Sequence, residues 1–80
     1  MRELDKTFMY KYNEFRKALL VNGMTMGDYF NSLTAAERIT MQKIRNYRNQ
    51  LAFTYPTTEA SEKDVDSWLA TLNQALEKIA

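Results

Sequence analysis

A regular spacing of apolar residues constrains the fold of this chain more than any other feature. Near the start, apolar side chains recur at intervals of four, four, three and four residues: Leu4, Phe8, Tyr12, Phe15 and Leu19. Residues at such intervals share one face of an α-helix, and that face is stable only when another element covers it. Gly23 follows, and a glycine just beyond a helix readily takes the left-handed conformation that ends it. The pattern predicts a first helix ending near this glycine.

Sequence signals for further helix starts follow along the chain. Residues 25–28 form a weak capping box before a short helical turn, and residues 34–37 form a full one, Thr-Ala-Ala-Glu. The helix that the second box opens should run to about residue 53 or 55, because Pro56 disfavours helical geometry in the residue before it.

Residues 61–64 resemble a third helix start, with acidic side chains near the positive end of the helix dipole. One face of the helix that follows is apolar: Val65, Trp68, Leu69, Leu72, Leu76 and Ile79. We expect Trp68 to anchor this helix in the core, with stacking on a nucleic-acid base as the alternative. No strand pattern or repeat is visible. The sequence therefore predicts an all-α fold: one domain over residues 1–80, a small antiparallel bundle of three main helices plus a short one.

Composition limits the function classes. A chain of 80 residues buries only about 60% of the surface that its unfolded form exposes, so a partner that covers one face would make the fold more stable. The net charge of +1 gives no strong general attraction to nucleic acid, so binding to RNA would need a local patch. The chain has no cysteine and no histidine, which excludes disulfides and argues against a zinc site. We expect no cofactor and no metal.

No segment suggests a membrane or an exported protein. The longest apolar run, residues 18–21, is far too short to cross a bilayer, and no signal-peptide core is present. The expected location is the cytoplasm.

The helix over residues 34–55 carries two faces of different character. One, expected to meet the other helices, holds Thr40, Ile44, Tyr47 and Leu51. The other lies about 100° further round and holds Met41, Arg45, Arg48, Ala52 and Tyr55. This mixture suits a partner-facing seam with a charged site inside it. The alternative is that the two arginines extend over the edge of the bundle.

The end of this helix carries a recognisable motif. Residues 48–56 read Arg-Asn-Gln-Leu-Ala-Phe-Thr-Tyr-Pro. This resembles the signature of the HEPN family of small helical ribonucleases, R-N-x-x-x-H-x-Y, with Phe53 where the family has its catalytic histidine. The resemblance is strongest over residues 34–56 and loosely covers the following helix. Family members are usually longer than this chain.

The resemblance implies a fold, an assembly and an activity. In HEPN proteins the motif lies at the C-terminal end of one bundle helix, and two copies form a symmetric cleft that cuts RNA without metal. The resemblance implies that this chain is a HEPN-like endoribonuclease of toxin–antitoxin or antiviral defence type, which is inactive as written because Phe53 replaces the histidine. It also implies a homodimer in which four residues lie near the two-fold axis: Arg48, Asn49, Phe53 and Tyr55. The principal alternative is a non-enzymatic dimeric helical interaction module: an antitoxin, an accessory subunit or an RNA-binding regulator.

The motif residues carry distinct roles by the same resemblance. Arg48 would bind the phosphate, and Asn49 would orient the Arg48 side chain or bond to RNA. Position 53 would transfer protons. Phe53 can stack on a base but cannot move a proton, and the unperturbed pKa values of Tyr55 and Lys43 are far from neutral. Lys43, Arg45 and Arg48 form the basic cluster expected to bind RNA.

Three explanations of Phe53 are open. In the first, Phe53 replaces a natural histidine in a chain that was disabled, because an active RNase kills the cell that makes it. In the second, the chain is a natural non-catalytic relative of the family. In the third, the motif is a coincidence and Phe53 is a core or interface aromatic.

Tyr55 carries a separate expectation. HEPN toxins paired with a minimal nucleotidyltransferase antitoxin have a tyrosine at this offset, which the antitoxin modifies with AMP. A phosphate-bearing group beside Arg48 would block access and neutralise positive charge. The alternative is an interface aromatic with its hydroxyl at the rim.

Overall fold

The structure, a computed structural model, describes residues 1–53 and 59–79. These residues form four helices and no strand, in the order α1 (Glu3–Val21), α2 (Met26–Asn31), α3 (Ala35–Phe53) and α4 (Glu62–Ile79). The predicted all-α fold of three main helices plus a short one is confirmed. None of these helices is both long and apolar enough to cross a membrane.

Local hydrogen bonds set the starts of α2 and α3. The Asp28 amide donates to the Thr25 hydroxyl at 3.0 Å, and the Asp28 carboxylate accepts from the Thr25 amide at 3.2 Å. Thr34 and Glu37 make the same reciprocal pair at 3.2 and 2.9 Å. Both predicted capping boxes are therefore present. After α1, Gly23 takes a φ of +67°, which is the left-handed conformation expected of a glycine at a helix end.

The three long helices alternate in direction. The starts of α1 and α4 meet where the Arg2 guanidinium donates to the Ala60 carbonyl at 2.6 Å. Their ends line a common cavity through Asn22 and Ile79, so α1 and α4 run parallel. α3 runs the opposite way, because Tyr47 in its second half reaches back to the starts of both. The C-terminal end of α3 thus lies beside the first turn of α1.

Aromatic side chains fill the core between α1, α3 and α4. The ring centroid of Phe8 lies 5.5 Å from that of Tyr47 and 6.1 Å from that of Trp68. At the other end of the core, Phe15 meets Tyr29 of α2 edge to face at 5.1 Å. Trp68 is half-buried in this cluster, as expected for a residue that anchors the last helix.

The predicted second face of α3 is not one surface. Met41 is buried in the core with 2% exposure, whereas Arg45 and Ala52 are exposed and Arg48 is half-buried. Met41 is covered because α2 and α4 pack against the first half of α3. Tyr29 of α2, Met41 of α3 and Ala75 of α4 line one cavity there. The expectation that Met41 faces a partner is therefore wrong. On the other predicted face Ile44, Tyr47 and Leu51 are buried as expected, whereas Thr40 is only half-buried.

Candidate functional site

Arg48 lies at the edge of the core in the last two turns of α3, in contact with two aromatic rings. Its guanidinium carbon is 5.7 Å from the ring centroid of Tyr12 in α1 and 5.8 Å from that of Phe53. Both distances are within the range of cation–π attraction. The two rings hold the guanidinium at the surface near the end of α3.

Arg48 makes few hydrogen bonds to the residues that the structure describes. A guanidinium has five N–H donors, and Nη1 donates to the Asn49 side-chain oxygen at 3.3 Å. The Nε atom is buried and has no hydrogen-bond partner among the residues described. No carboxylate in residues 1–53 and 59–79 forms an ion pair with Arg48. Among the described residues the Arg48 cation therefore has no anionic partner, and a guanidinium is suited to bind an anion such as a phosphate.

Phe53 is the last residue of α3 and projects into solvent with 78% exposure. A phenyl ring so exposed is not a core residue, so if the motif is a coincidence, Phe53 is an interface aromatic. It lies beside Arg48, at the negative end of the α3 dipole. A histidine at this position would have its charged form favoured by that dipole.

The predicted basic cluster is divided between two faces. Arg45 is exposed one turn before Arg48. Lys43 lies about 140° around the helix from Arg48, where it lines a groove with Glu59 and Asp64. The structure thus brings Arg45, Arg48, Asn49 and Phe53 to one region and places Lys43 elsewhere. Tyr55, the modification candidate, lies outside the described residues.

Charge is unevenly distributed between helices despite the small net charge. α3 carries four basic residues and one acid, whereas α4 carries four acids and two lysines. The basic excess of α3 is not one patch, because Lys43 lies on a different face from Arg45 and Arg48.

A buried ionic network holds the end of the bundle nearest to Phe53. The fully buried Asp5 carboxylate accepts from the Tyr47 hydroxyl at 2.6 Å and from Arg2 Nε at 2.9 Å. The Tyr47 oxygen accepts in turn from the Ala60 amide at 3.3 Å. Arg2 also pairs with Glu59 at 3.1 Å. The network joins the start of α1, the middle of α3 and the chain that leads into α4.

The network shifts the ionisation of its members. Burial by itself raises the pKa of Asp5, but the hydrogen bonds from Arg2 and Tyr47 outweigh this and hold that pKa below its ordinary value. Burial and the bond to Asp5 raise the pKa of the Tyr47 hydroxyl. Asp5 is therefore a carboxylate at neutral pH, fully paired and inaccessible, and its role is structural.

Sequence reasoning missed this network. A signal was available, because Asp5 lies three residues before Phe8 and so falls on the same buried face of α1. Within residues 1–53 and 59–79 no three acidic side chains are grouped as a metal site.

Comparisons with models of known protein families, with curated proteins and with solved structures found no match to this chain. They neither support nor oppose the resemblance of residues 48–56 to the HEPN motif.

Proposed function

We propose that the chain is a HEPN-like ribonuclease scaffold of toxin–antitoxin or antiviral defence type that binds RNA at Arg48 but does not cleave it as written. One observation carries the proposal: the Arg48 guanidinium, without an acidic partner among the described residues, lies 5.8 Å from the exposed ring of Phe53. Arg48 matches the arginine of the motif and Phe53 stands at the position of its histidine, and both residues lie in the last turns of α3 that the structure describes.

The chemistry of the site follows from these residue types. RNA cleavage without metal requires the ribose 2′ oxygen to lose a proton while it bonds to phosphorus, and the leaving 5′ oxygen to gain one. Arg48 would stabilise the charge that builds on the phosphate, and Asn49 holds one edge of its guanidinium. The phenyl ring of Phe53 offers a stacking surface for a base. It offers no proton, so the acid–base contribution of about 10²–10⁴-fold is missing.

Further parts of the proposal rest on the family resemblance. The chain would act in the cytoplasm as a homodimer, and a cognate antitoxin such as a minimal nucleotidyltransferase would regulate it by modifying Tyr55.

A second candidate is a non-enzymatic dimeric interaction module, which acts as an antitoxin, accessory subunit or regulator. The exposure of Phe53 (78%) and Ile39 (60%) favours it, because a partner lying along α3 would cover both side chains, which are about 21 Å apart on one face of the helix. This candidate needs no RNA contact at Arg48.

Titration of a fluorescently labelled single-stranded RNA distinguishes the two candidates. We expect Arg48→Gln to weaken binding by about tenfold, which corresponds to about 1.4 kcal/mol, and to lower the salt slope by about 0.7. Lys63→Gln in α4 removes the same charge from an exposed residue and should change binding little. Equal weakening by both variants, or no binding by the unaltered chain, would reject an RNA site at Arg48.

A further inference from the structure

The segment that ends α1 contains a chemically reactive pair of residues, Asn22 and Gly23. The chain has six asparagines, and only Asn22 is followed by glycine. Asparagine is thermolabile, because the backbone nitrogen of the next residue can attack its side-chain carbon and close a cyclic succinimide. Glycine permits this attack best, since it has no side chain to obstruct the nitrogen and adopts the widest range of backbone angles. The sequence of the pair thus favours loss of the Asn22 amide.

Both residues of the pair are open to solvent. Asn22 and Gly23 are exposed, and Gly23 has a φ of +67°. Apart from its chain neighbours, no atom of the described residues lies within 4 Å of the point where a Cβ of Gly23 would stand. The surroundings of the pair therefore leave room for a ring and give water access to it.

In the folded chain three hydrogen bonds hold the pair away from the reaction. The Asn22 side-chain amide donates to the Ala18 carbonyl at 2.7 Å. The backbone amides of Gly23 and Met24 donate to carbonyls in the last turn of α1 at 3.0 and 2.9 Å. The Gly23 nitrogen therefore faces the end of α1, and Asn22, which has a ψ of 9°, must rotate about that bond before its side chain can meet the nitrogen. The last turn of α1 has to open first.

We propose that Asn22 is a site of spontaneous deamidation, at which water replaces the side-chain amide when the last turn of α1 opens. The Gly23 nitrogen bonds to Asn22 Cγ and gives up its proton, the Cγ–Nδ2 bond breaks, and Nδ2 leaves with that proton as ammonia. Water then adds to one of the two carbonyls of the ring. Addition at one of them leaves aspartate, and addition at the other leaves isoaspartate, whose main chain runs through Cγ. Water is the only co-reactant.

The product fits the end of α1 less well than asparagine does. A carboxylate only accepts hydrogen bonds, so it loses the bond to the Ala18 carbonyl and meets the carbonyl groups at the negative end of the helix dipole. Lys78 lines the same cavity as Asn22, but it is exposed, and an exposed ion pair adds little stability. Deamidation therefore loosens the last turn of α1, and the added carboxylate cancels the net charge of +1.

The deamidation site lies away from the proposed RNA site. Asn22 and Ile79 line a cavity at the end of the bundle where α1 and α4 finish. Phe53 is the last residue of α3, which runs the opposite way and finishes near the first turn of α1. The proposal therefore does not rest on the proposed function, and either one can fail without the other.

Peptide mapping by mass spectrometry tests the proposal on the whole chain. The folded protein is incubated at mildly alkaline pH, and each asparagine is scored for exchange of its amide for a carboxylate. Asn22 should convert first, to a mixture of aspartate and isoaspartate. Asn31 and Asn73 are the internal controls, because they are exposed as well but precede serine and glutamine. Asn22→Gln keeps the amide on a longer side chain that closes a ring slowly, and it should lose nearly all conversion at this position.

Incubation in guanidinium chloride above the unfolding midpoint tests the role of the three hydrogen bonds. Each net hydrogen bond shifts an opening equilibrium about fivefold. Deamidation of Asn22 in the folded chain should therefore be about 10²-fold slower than in the denatured chain. Conversion of Asn22 no faster than that of Asn31 and Asn73, or at the same rate in the folded and denatured chain, would overturn the proposal.

The effect on α1 is tested with a variant that carries the product's charge. Asn22→Asp should unfold at a lower urea concentration than the unaltered chain. Asn73→Asp adds the same charge at an exposed position within α4 and should lower the midpoint less. Circular dichroism shows that each variant is folded before urea is added. Equal midpoints for the two variants would refute the inferred loosening of α1.

Discussion

The hydroxyl of Tyr47 offers a direct test of the buried network, because it can be removed without changing the ring. In Tyr47→Phe the ring keeps its neighbours Phe8 and Trp68, whose centroids lie 5.5 and 5.3 Å away. The variant loses the bond donated to Asp5 at 2.6 Å and those accepted from Arg2 and Ala60, both at 3.3 Å.

The expected loss follows from the strongest of these bonds. A hydrogen bond to a charged group contributes about 1.5–3 kcal/mol, and the two bonds of 3.3 Å add little at that length. Asp5 keeps both of its bonds from Arg2, so no buried charge is left unpaired. We expect the free energy of unfolding to fall by about 2 kcal/mol. For a domain of this size that lowers Tm by about 8–16 °C.

Urea unfolding followed by circular dichroism measures the change. Tyr10→Phe makes the same substitution at a side chain that is 65% exposed and should stay within about 0.5 kcal/mol of the unaltered chain. If Tyr47→Phe also stays within that range, the network contributes no net stability and the reasoning about it is wrong.

Three further changes in stability are expected. The pKa of Asp5 is lowered in the folded state, so the stability that its carboxylate contributes is complete above the ordinary pKa of about 3.9 and is lost as the pH falls through the folded-state pKa. The urea midpoints of the unaltered chain and of Tyr47→Phe should therefore approach each other at acidic pH. A gap between the midpoints that does not change with pH would contradict this. Thr34→Ala removes the cap of α3 and should cost about 1 kcal/mol in urea unfolding; no change would show that the cap is dispensable. Phe15→Ala in the core should lower the free energy of unfolding by about 3–5 kcal/mol, whereas Phe53→Ser should change it by less than about 0.5 kcal/mol at concentrations where the chain is monomeric. A large loss of stability in Phe53→Ser would contradict the exposed position of Phe53.

The helices could be predicted from the sequence because their determinants are local. Each capping box lies within four residues, and the buried face of α1 repeats over every turn. The helix that the second capping box opens runs through Phe53, and its predicted end at residue 53 or 55 adjoins residues 54–58, which lie outside the described part of the chain.

The features that were missed depend on distant contacts. Asp5 in the first turn of α1 reads as an acid that favours the helix dipole, and its burial requires a tyrosine 42 residues away. The burial of Met41 depends on where α2 packs, and the residue pattern of α3 alone does not show that position. The separation of Lys43 from Arg48 is different, because the helical angle between them was already available in the sequence.

The site was only partly predictable for a related reason. The motif placed Arg48, Asn49 and Phe53 on one helix end, and the structure brings them together. The contact between Arg48 and Tyr12 joins two helices and could not be derived from spacing within α3.

The rate of RNA cleavage by the Phe53→His variant, measured in chelator, tests the central claim most directly. If α3 ends in a ribonuclease site that lacks only its proton-transfer group, the folded variant should cut RNA and leave 2′,3′-cyclic phosphate ends, while the unaltered chain does not. Adding Arg48→Gln to the variant should then lower the rate by about 10²–10³-fold, and adding Lys63→Gln should not. A folded Phe53→His variant that leaves RNA intact, or that cuts equally well without Arg48, would contradict the claim.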